Sequence, residues 1–338
     1  MPITPQFYTS AVLYFVLSTA LLYLLMSSDV KRGKRVGKRG ERVLVLGGGS
    51  GIGRSIALLY AKRGARVCIV ARSEAGLEEV KGQCLSLLPK RGAGEKTGTT
   101  ESRSGSGSGS GAGPEVISLV GDIASVDDLV RVRQAVQDAW GGLDTLVLSA
   151  GISSLKSLMH NAGVQGSNED ASSEGLAHLQ EIVRNVSEIN YVAAALVAGT
   201  FFPMLERTSK LGAVMLISSS GALIPAPTRT IYGSTKAGAL MLYQALAIEH
   251  PALHFSLICP GTVNTNFRAS APDEDDKPEL EEKKLEPEEV AQRAIEAVDS
   301  GERLVIMPFR HKLGHILYNF GARRLIENQA AKKYRWTK

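Results

Sequence analysis

Tyr232 and Lys236 stand four residues apart, and Ser219 stands thirteen residues before the tyrosine. On a helix, a four-residue step puts the phenol and the ammonium on one face. A free phenol has a pKa of about 10, so it exchanges protons poorly at neutral pH without help. A neighbouring cation such as Lys236 favours the phenolate and supplies that help. Ser219 can hydrogen-bond a carbonyl or alcohol oxygen and stabilise charge that develops there. Ser218 and Ser220 are rival hydroxyls; the thirteen-residue offset selects Ser219. The Y-x-x-x-K step alone could be an ordinary amphipathic pair, so its weight comes from what surrounds it.

Far upstream, the strand-like run 42–46 flows into Gly47-Gly48-Gly49-Ser50-Gly51-Ile52-Gly53. Gly47 allows a sharp turn, Gly51 a close backbone approach to phosphate, and Gly53 tight packing of the following helix. Gly49, Ser50 and Ile52 complete the turn, and the helix start offers free N–H groups to a pyrophosphate. The spacing is G-x-x-x-G-x-G. The next strand ends at Ala71-Arg72-Ser73, without the carboxylate that would hold the ribose hydroxyls of NAD. Arg72, with Arg54, could hold the 2′-phosphate of NADP instead. Asp122, in Gly121-Asp122-Ile123, could accept from an adenine amino group or cap the next helix. The combined chemistry is proton transfer at an oxygen beside hydride transfer from a dinucleotide.

Alternating strands and helices must position these groups. Strands are expected at 43–46, 65–70, 116–120, 143–148, 212–217, 254–258 and 303–307, and helices at 52–63, 73–88, 126–140, 230–249 and 287–298. One long helical region is expected from about 173 to 207. Ser73 reads as an N-cap, and Pro287 sits in a first turn, where its missing N–H costs least. The repetition predicts a single Rossmann-type α/β domain with a doubly wound parallel sheet of about seven strands. A Gly/Ser-rich tract over 89–114 reads as a disordered surface insertion. The acidic stretch 271–284 reads as a lid or a solvated loop.

The chain has 338 residues, 44% hydrophobic and 22% charged, with a net charge of +5. Residues 7–26 carry no charge and are long enough to span a bilayer, with Tyr8 and Tyr23 near the ends. Lys31, Arg32, Lys34, Arg35, Lys38, Arg39 and Arg42 follow, a cluster suited to a membrane surface. A cleaved signal peptide would carry its basic residues first, so an uncleaved transmembrane anchor is favoured over a secreted protein. The positive-inside tendency then keeps the main domain cytosolic, and the Asn185-Val186-Ser187 sequon is a chance match. No nucleic-acid motif is present. Cys68, Cys84 and Cys259 read as buried reduced thiols, and no spacing suits a metal. The expected organisation is an anchor (1–28), a basic juxtamembrane segment (29–41), a dinucleotide-binding domain (42–310) and a basic amphipathic tail (311–338). The tail reads equally as an interfacial segment or as a packing helix, with His311 and His315 on the surface.

From 42 to 307 the sequence resembles the short-chain dehydrogenase/reductase family. The resemblance rests on the glycine turn, Gly121-Asp122-Ile123, Leu148-Ser149-Ala150-Gly151, Asn190, Ser219, Tyr232, Lys236 and Pro260-Gly261-Thr262-Val263-Asn264-Thr265. It implies a nicotinamide dinucleotide, which Arg72 makes NADP(H), with Ser149, Ala150, Gly151, Pro260, Gly261, Val263 and Thr265 on the cofactor side. It also implies that Lys236 reaches the ribose hydroxyls and that Asn190 holds a proton-relay water. Leu46 and Ser149 stand where the family commonly has threonine and asparagine, and the stretch from Gly151 to Asn190 is longer than usual. Asn161-Ala162-Gly163 imitates a family motif but follows no strand. The anchored pattern is similar to 11-beta-hydroxysteroid dehydrogenase-like and 3-ketodihydrosphingosine reductase proteins. That implies the endoplasmic reticulum membrane, a hydrophobic lipid-like or steroid-like carbonyl or alcohol, and a homodimer face on helix 230–249. The reading from another class is a non-catalytic nucleotide-binding or tethering protein.

Overall fold

The computed structural model describes Ser18, Arg32 and residues 36–89, 113–166, 168–273 and 283–336. The expected anchor (Ser18 apart), residues 90–112 of the Gly/Ser-rich tract and residues 274–282 of the acidic stretch lie outside them.

Seven strands form one sheet in the order β3-β2-β1-β4-β5-β6-β7. They are β1 (Arg42–Leu46), β2 (Arg66–Ala71), β3 (Val116–Val120), β4 (Thr145–Leu148), β5 (Ala213–Ile217), β6 (His254–Pro260) and β7 (Leu304–Met307). Every pairing is parallel. A parallel sheet buries both faces, so central strands must be apolar throughout; β5 reads AVMLI and is buried at every position. The chain order reverses direction across the sheet between β1 and β4, which opens a crevice at the carboxyl ends of those strands.

Helices α1 (Gly51–Lys62), α2 (Glu74–Leu87) and α3 (Val126–Trp140) follow the first three strands. Ser73 caps α2 as expected by accepting from the Gly76 N–H. The region expected as one helix is α4 (Ser173–Ser187), a π-helical turn (Glu188–Val192) and α5 (Ala193–Thr208). Taken together, residues Ser173–Thr208 are long and apolar enough to cross a membrane, but half of the apolar window is buried and Phe201, Phe202 and Leu205 pack in the sheet's core. Helix α6 (Thr230–Glu249) carries Tyr232, and α7 (Pro287–Ser300) begins at its proline. The tail then folds into α8 (Phe309–Asn319) and α9 (Arg323–Lys333).

Two members of the basic cluster have a different role from the one expected. Arg32 is fully buried at the base of the sheet and pairs with Glu41 at 3.1 Å. It also donates to Leu211 O (2.8 Å), Asp144 O (3.0 Å) and Thr145 Oγ1 (2.8 Å). Arg42 is likewise spent on both oxygens of Asp144. Neither guanidinium is offered to a membrane surface. Cys68, Cys84 and Cys259 are buried free thiols, and burial pushes their pKa values up to about 12, about 11 and about 12.

Candidate active site

At the end of β1, Gly47 turns with φ +87°, and a Cβ there would lie 2.5 Å from Ala150 N. Only glycine lets the ends of β1 and β4 meet this closely. The same contact places Ser149 and Ala150 beside the turn, their N–H groups both donating to Leu46 O. Helix α1 then starts with no side-chain cap from Ser50 and no acidic residue in its first turn, so its first N–H groups face the crevice uncapped. Arg72 is exposed at the rim, while the half-buried Arg54 donates its Nε to Gln83 Oε1 at 3.1 Å. Asp122 caps its own turn: Oδ1 accepts from Ala124 N at 2.9 Å, and Ser125 is the N-cap of α3.

A cavity of about 1400 Å³ gathers the sequence-selected groups. Gly47, Gly49, Ser50, Gly51, Ile52, Arg54, Arg72, Asp122 and Ile123 line one end, with Ser149, Ala150, Gly151, Pro260, Gly261, Val263 and Thr265 along the floor. Ser219, Tyr232 and Lys236 line the other end. Gly53 and Asn190 do not line it. Gly53 packs behind the turn, where a Cβ would lie 2.1 Å from Gly47 O. The residues fit a dinucleotide: an open glycine cradle, an uncapped helix start and a guanidinium at the ribose end of β2.

Asn190 sits in the π-helical turn, 3% exposed, and its amide is committed to the protein. Oδ1 accepts from Ile152 N (2.9 Å), and Nδ2 donates to Ile152 O (2.9 Å) and Thr235 Oγ1 (3.1 Å). It therefore ties the loop following β4 to α6, and this amide is not free to hold a water through both its N–H groups. Lys236 is buried and donates to Ile217 O at 3.3 Å; burial pulls its pKa down to about 8. The half-buried Tyr232 lines the cavity together with Ser219.

Burial raises the Tyr232 pKa, opposed by the Ser219 hydrogen bond and the Arg229 charge. The Lys236 ammonium is turned to the end of β5, where it donates to Ile217 O. Arg229 was not legible as a site residue, because three residues before a tyrosine is no motif. Phe267, edge-on to Tyr232 with centroids 5.8 Å apart, was missed for the same reason. His311 is half-buried rather than plainly on the surface: it lines the cavity, and a Cβ on Gly261 would lie 2.5 Å from its ring.

This constellation matches one family over most of the described domain: short chain dehydrogenase, across residues 41–93 and 108–276. The chain belongs to the short-chain dehydrogenases. A Sesamum indicum relative, 11-beta-hydroxysteroid dehydrogenase A, is 25% identical over 249 residues, covering 73% of this chain and 57% of the relative. A Dictyostelium discoideum relative, dehydrogenase/reductase SDR family protein 7-like, is 26% identical over 278 residues, covering 81% of this chain and 76% of its own. The chain spans 57% and 61% of the lengths of the sesame protein and of Arabidopsis thaliana 11-beta-hydroxysteroid dehydrogenase-like 2. Among solved structures, a Burkholderia phymatum short-chain dehydrogenase/reductase in complex with NAD superposes with TM-score 0.65 at 17% identity, covering 86% of this chain and 96% of that one. An alcohol dehydrogenase from Thermococcus sibiricus complexed with 5-hydroxy-NADP gives 0.58 at 22% identity, covering 80% and 95%. At these identities the likeness of this short-chain dehydrogenase to both is one of fold.

Proposed function

We propose that this short-chain dehydrogenase is a membrane-anchored NADP(H)-dependent oxidoreductase that interconverts a ketone and a secondary alcohol on an apolar, lipid-like or steroid-like substrate. The observation that carries the reading is the single cavity that Ser219, Tyr232 and Lys236 line together with the glycine turn and Arg72. A bound nicotinamide supplies or accepts the hydride. Ser219 orients the substrate oxygen and stabilises charge on it. Tyr232 gives its proton to that oxygen in reduction and takes it back in oxidation. Lys236 holds its charge behind the site, and Asn190 braces the backbone between Ile152 and Thr235.

NADP is favoured over NAD because β2 ends in Arg72 with no carboxylate beside it. Membrane attachment is favoured by the uncharged segment 7–26 and by the tail. Phe309, Leu313 and Ile316 are exposed along one stripe of α8 and Phe320 is exposed at its C-cap, with Arg310, Lys312, Arg323 and Arg324 nearby in the chain. The inner side of the same helices, through His311, Gly314 and Ile326, lines the cavity. An apolar substrate would then enter beside the lipid surface of the endoplasmic reticulum.

The test is NADPH oxidation by the detergent-solubilised full chain against a panel of ketones, followed by lipid-extract metabolomics. Tyr232→Phe should abolish turnover and leave NADPH affinity within about twofold, because the phenol contributes to the chemical step far more than to cofactor binding. Arg72→Ala should raise the Kd for NADPH and leave that for NADH unchanged. A native chain that binds NADPH yet turns over no carbonyl or alcohol would instead be a binding module.

A further inference from the structure

Beyond β6 the chain leaves the sheet, makes the 3-10 turn Asn266–Ser270 and reaches Asp273. The root of this arm is stitched to the returning chain: Asn264 N donates to Leu285 O at 2.8 Å and Leu285 N to Thr262 O at 2.9 Å. Its outer part is held from elsewhere. Asp273 is 3% exposed, and its carboxylate accepts four hydrogen bonds. The donors are Ser154 Oγ (2.8 Å), Leu155 N (2.8 Å), Lys156 N (3.0 Å) and Asn161 Nδ2 (3.1 Å). All come from the stretch after β4. Ser270 Oγ accepts a further bond from Ser153 N at 3.1 Å.

The same stretch is gripped from its other side. Arg229 Nη1 donates to Ser153 Oγ (3.2 Å) and Ser154 O (3.0 Å), three residues ahead of Tyr232. Phe267, on the arm that Asp273 holds, presents its ring to Tyr232 at 5.8 Å and 64°. These contacts close a circuit around the substrate end of the cavity, from Tyr232 through Arg229, the 153–156 stretch and Asp273 to Phe267 and back to the phenol. A buried carboxylate is costly unless fully hydrogen-bonded, and among the described residues its partners all lie on this collar.

The geometry points to Asp273 as a positioning residue that docks the Phe267 arm against Tyr232 and thereby forms the apolar wall beside the reacting carbonyl. This rests on Tyr232 being the proton donor. Asp273 touches neither substrate nor cofactor. The wall it holds favours ketones with a bulky apolar substituent, which contact Phe267, over small hydrated ones.

The experiment compares the native full chain with Asp273→Asn, using α-tetralone and diacetyl as ketones and measuring the Kd for NADPH separately. Either orientation of the new amide sets its NH2 against a backbone N–H. A small displacement of a positioned group can cost on the order of 10²-fold. We expect kcat/KM on α-tetralone to fall by about that factor, mostly through KM, with a smaller loss on diacetyl and NADPH affinity unchanged. Ser154→Ala and Asn161→Ala each remove one donor and should shift the same ratio by about tenfold, which keeps the test open if Asp273→Asn folds poorly. An equal loss on both ketones, a parallel loss of NADPH affinity, or lowered thermal stability with unchanged KM would overturn the proposal. If the native chain reduces no ketone, the oxidoreductase reading fails on its own, and amide exchange decides the collar. Asp273→Asn should speed exchange at Leu155, Lys156 and 266–270 together, and unchanged exchange at 266–270 would sink it.

Discussion

Lys236 sends its ammonium to the carbonyl oxygen of Ile217, 3.3 Å away, at the carboxyl end of β5. A buried ammonium with one carbonyl partner is poorly compensated, and its pKa falls from 10.5 to about 8. The sign for stability follows. Below pH 8 the native and unfolded chains both carry the proton, and the full burial penalty is present. Between about 8 and 10.5 the unfolded chain holds a proton that the native chain has released, so stability rises with pH. Lys236→Met should therefore stabilise the protein at pH 7. The gain is up to about 3 kcal/mol from the shift, less about 1 kcal/mol for the lost hydrogen bond. It should shrink as pH rises through that window. Urea unfolding at pH 7 and pH 10 checks this; a variant less stable at pH 7, with no pH dependence in the difference, would refute it.

The phenol has the opposite polarity. Burial holds the Tyr232 proton on more tightly than in water. A proton donor with a raised pKa stays loaded across neutral pH and empties only as pH climbs through that raised value. Initial rates of ketone reduction should thus be insensitive to Tyr232 titration from pH 6 to 8. Alcohol oxidation, which needs the deprotonated phenol, should rise steadily from pH 7 to 9. Rates in both directions at saturating cofactor test the assignment. An oxidation rate that is flat over those two units would exclude Tyr232 as the titrating base.

Gly151 marks where the two supports of the site converge. A Cβ there would lie 2.9 Å from Asn190 Oδ1 and 2.9 Å from Lys236 Nζ. Asn190 cannot yield, since three hydrogen bonds hold its amide; Lys236 must swing away. Gly151→Ala should cost about 1–3 kcal/mol of stability through overpacking and lower kcat more than NADPH affinity. Gly82 is the control. It lies in α2 with nothing within 4 Å of an added Cβ, so Gly82→Ala should stabilise by about 0.5–1 kcal/mol. If both variants were equally stable, the crowding argument at Gly151 would be wrong.

The parallel sheet and the cofactor end were legible because their signals are local. Apolar runs bounded by helices with caps such as Ser73 give strands directly, and the expected and observed helix Thr230–Glu249 share both ends. The glycine turn and Y-x-x-x-K step are short, and the structure brings both to one cavity. What sequence did not reveal depends on distant partners. The π-helical turn at Asn190 has no residue motif of its own, so nothing in the sequence announces it. Asn161 stands in a run that only imitates a family motif, and its amide donates to Asp273, over a hundred residues away. Arg32 read as surface charge because its neighbours are basic; only the fold shows Glu41, Thr145 and two carbonyls closing around it.

That buried arginine leads to the last prediction. Glu41 is 2% exposed and faces Arg32 at 3.1 Å, the Arg63 guanidinium, and the Thr145 hydroxyl at 2.6 Å. Arg63 has a second anion, Asp299, at 3.0 Å, whereas the other partners of Arg32 are neutral. Glu41→Gln would leave Arg32 as an uncompensated charge beneath the sheet. Breaking such a pair from one side costs about 3–5 kcal/mol. Arg32→Met should cost less, because Glu41 keeps Arg63 as a counterion. The site lies at the opposite end of the strands, so NADPH affinity in the folded fraction should be unchanged for both variants. Denaturant midpoints ranked native, Arg32→Met, Glu41→Gln would confirm that the segment before β1 is part of the folded domain. Indistinguishable midpoints would mean that Arg32 leaves its seat in solution and that the folded unit begins later.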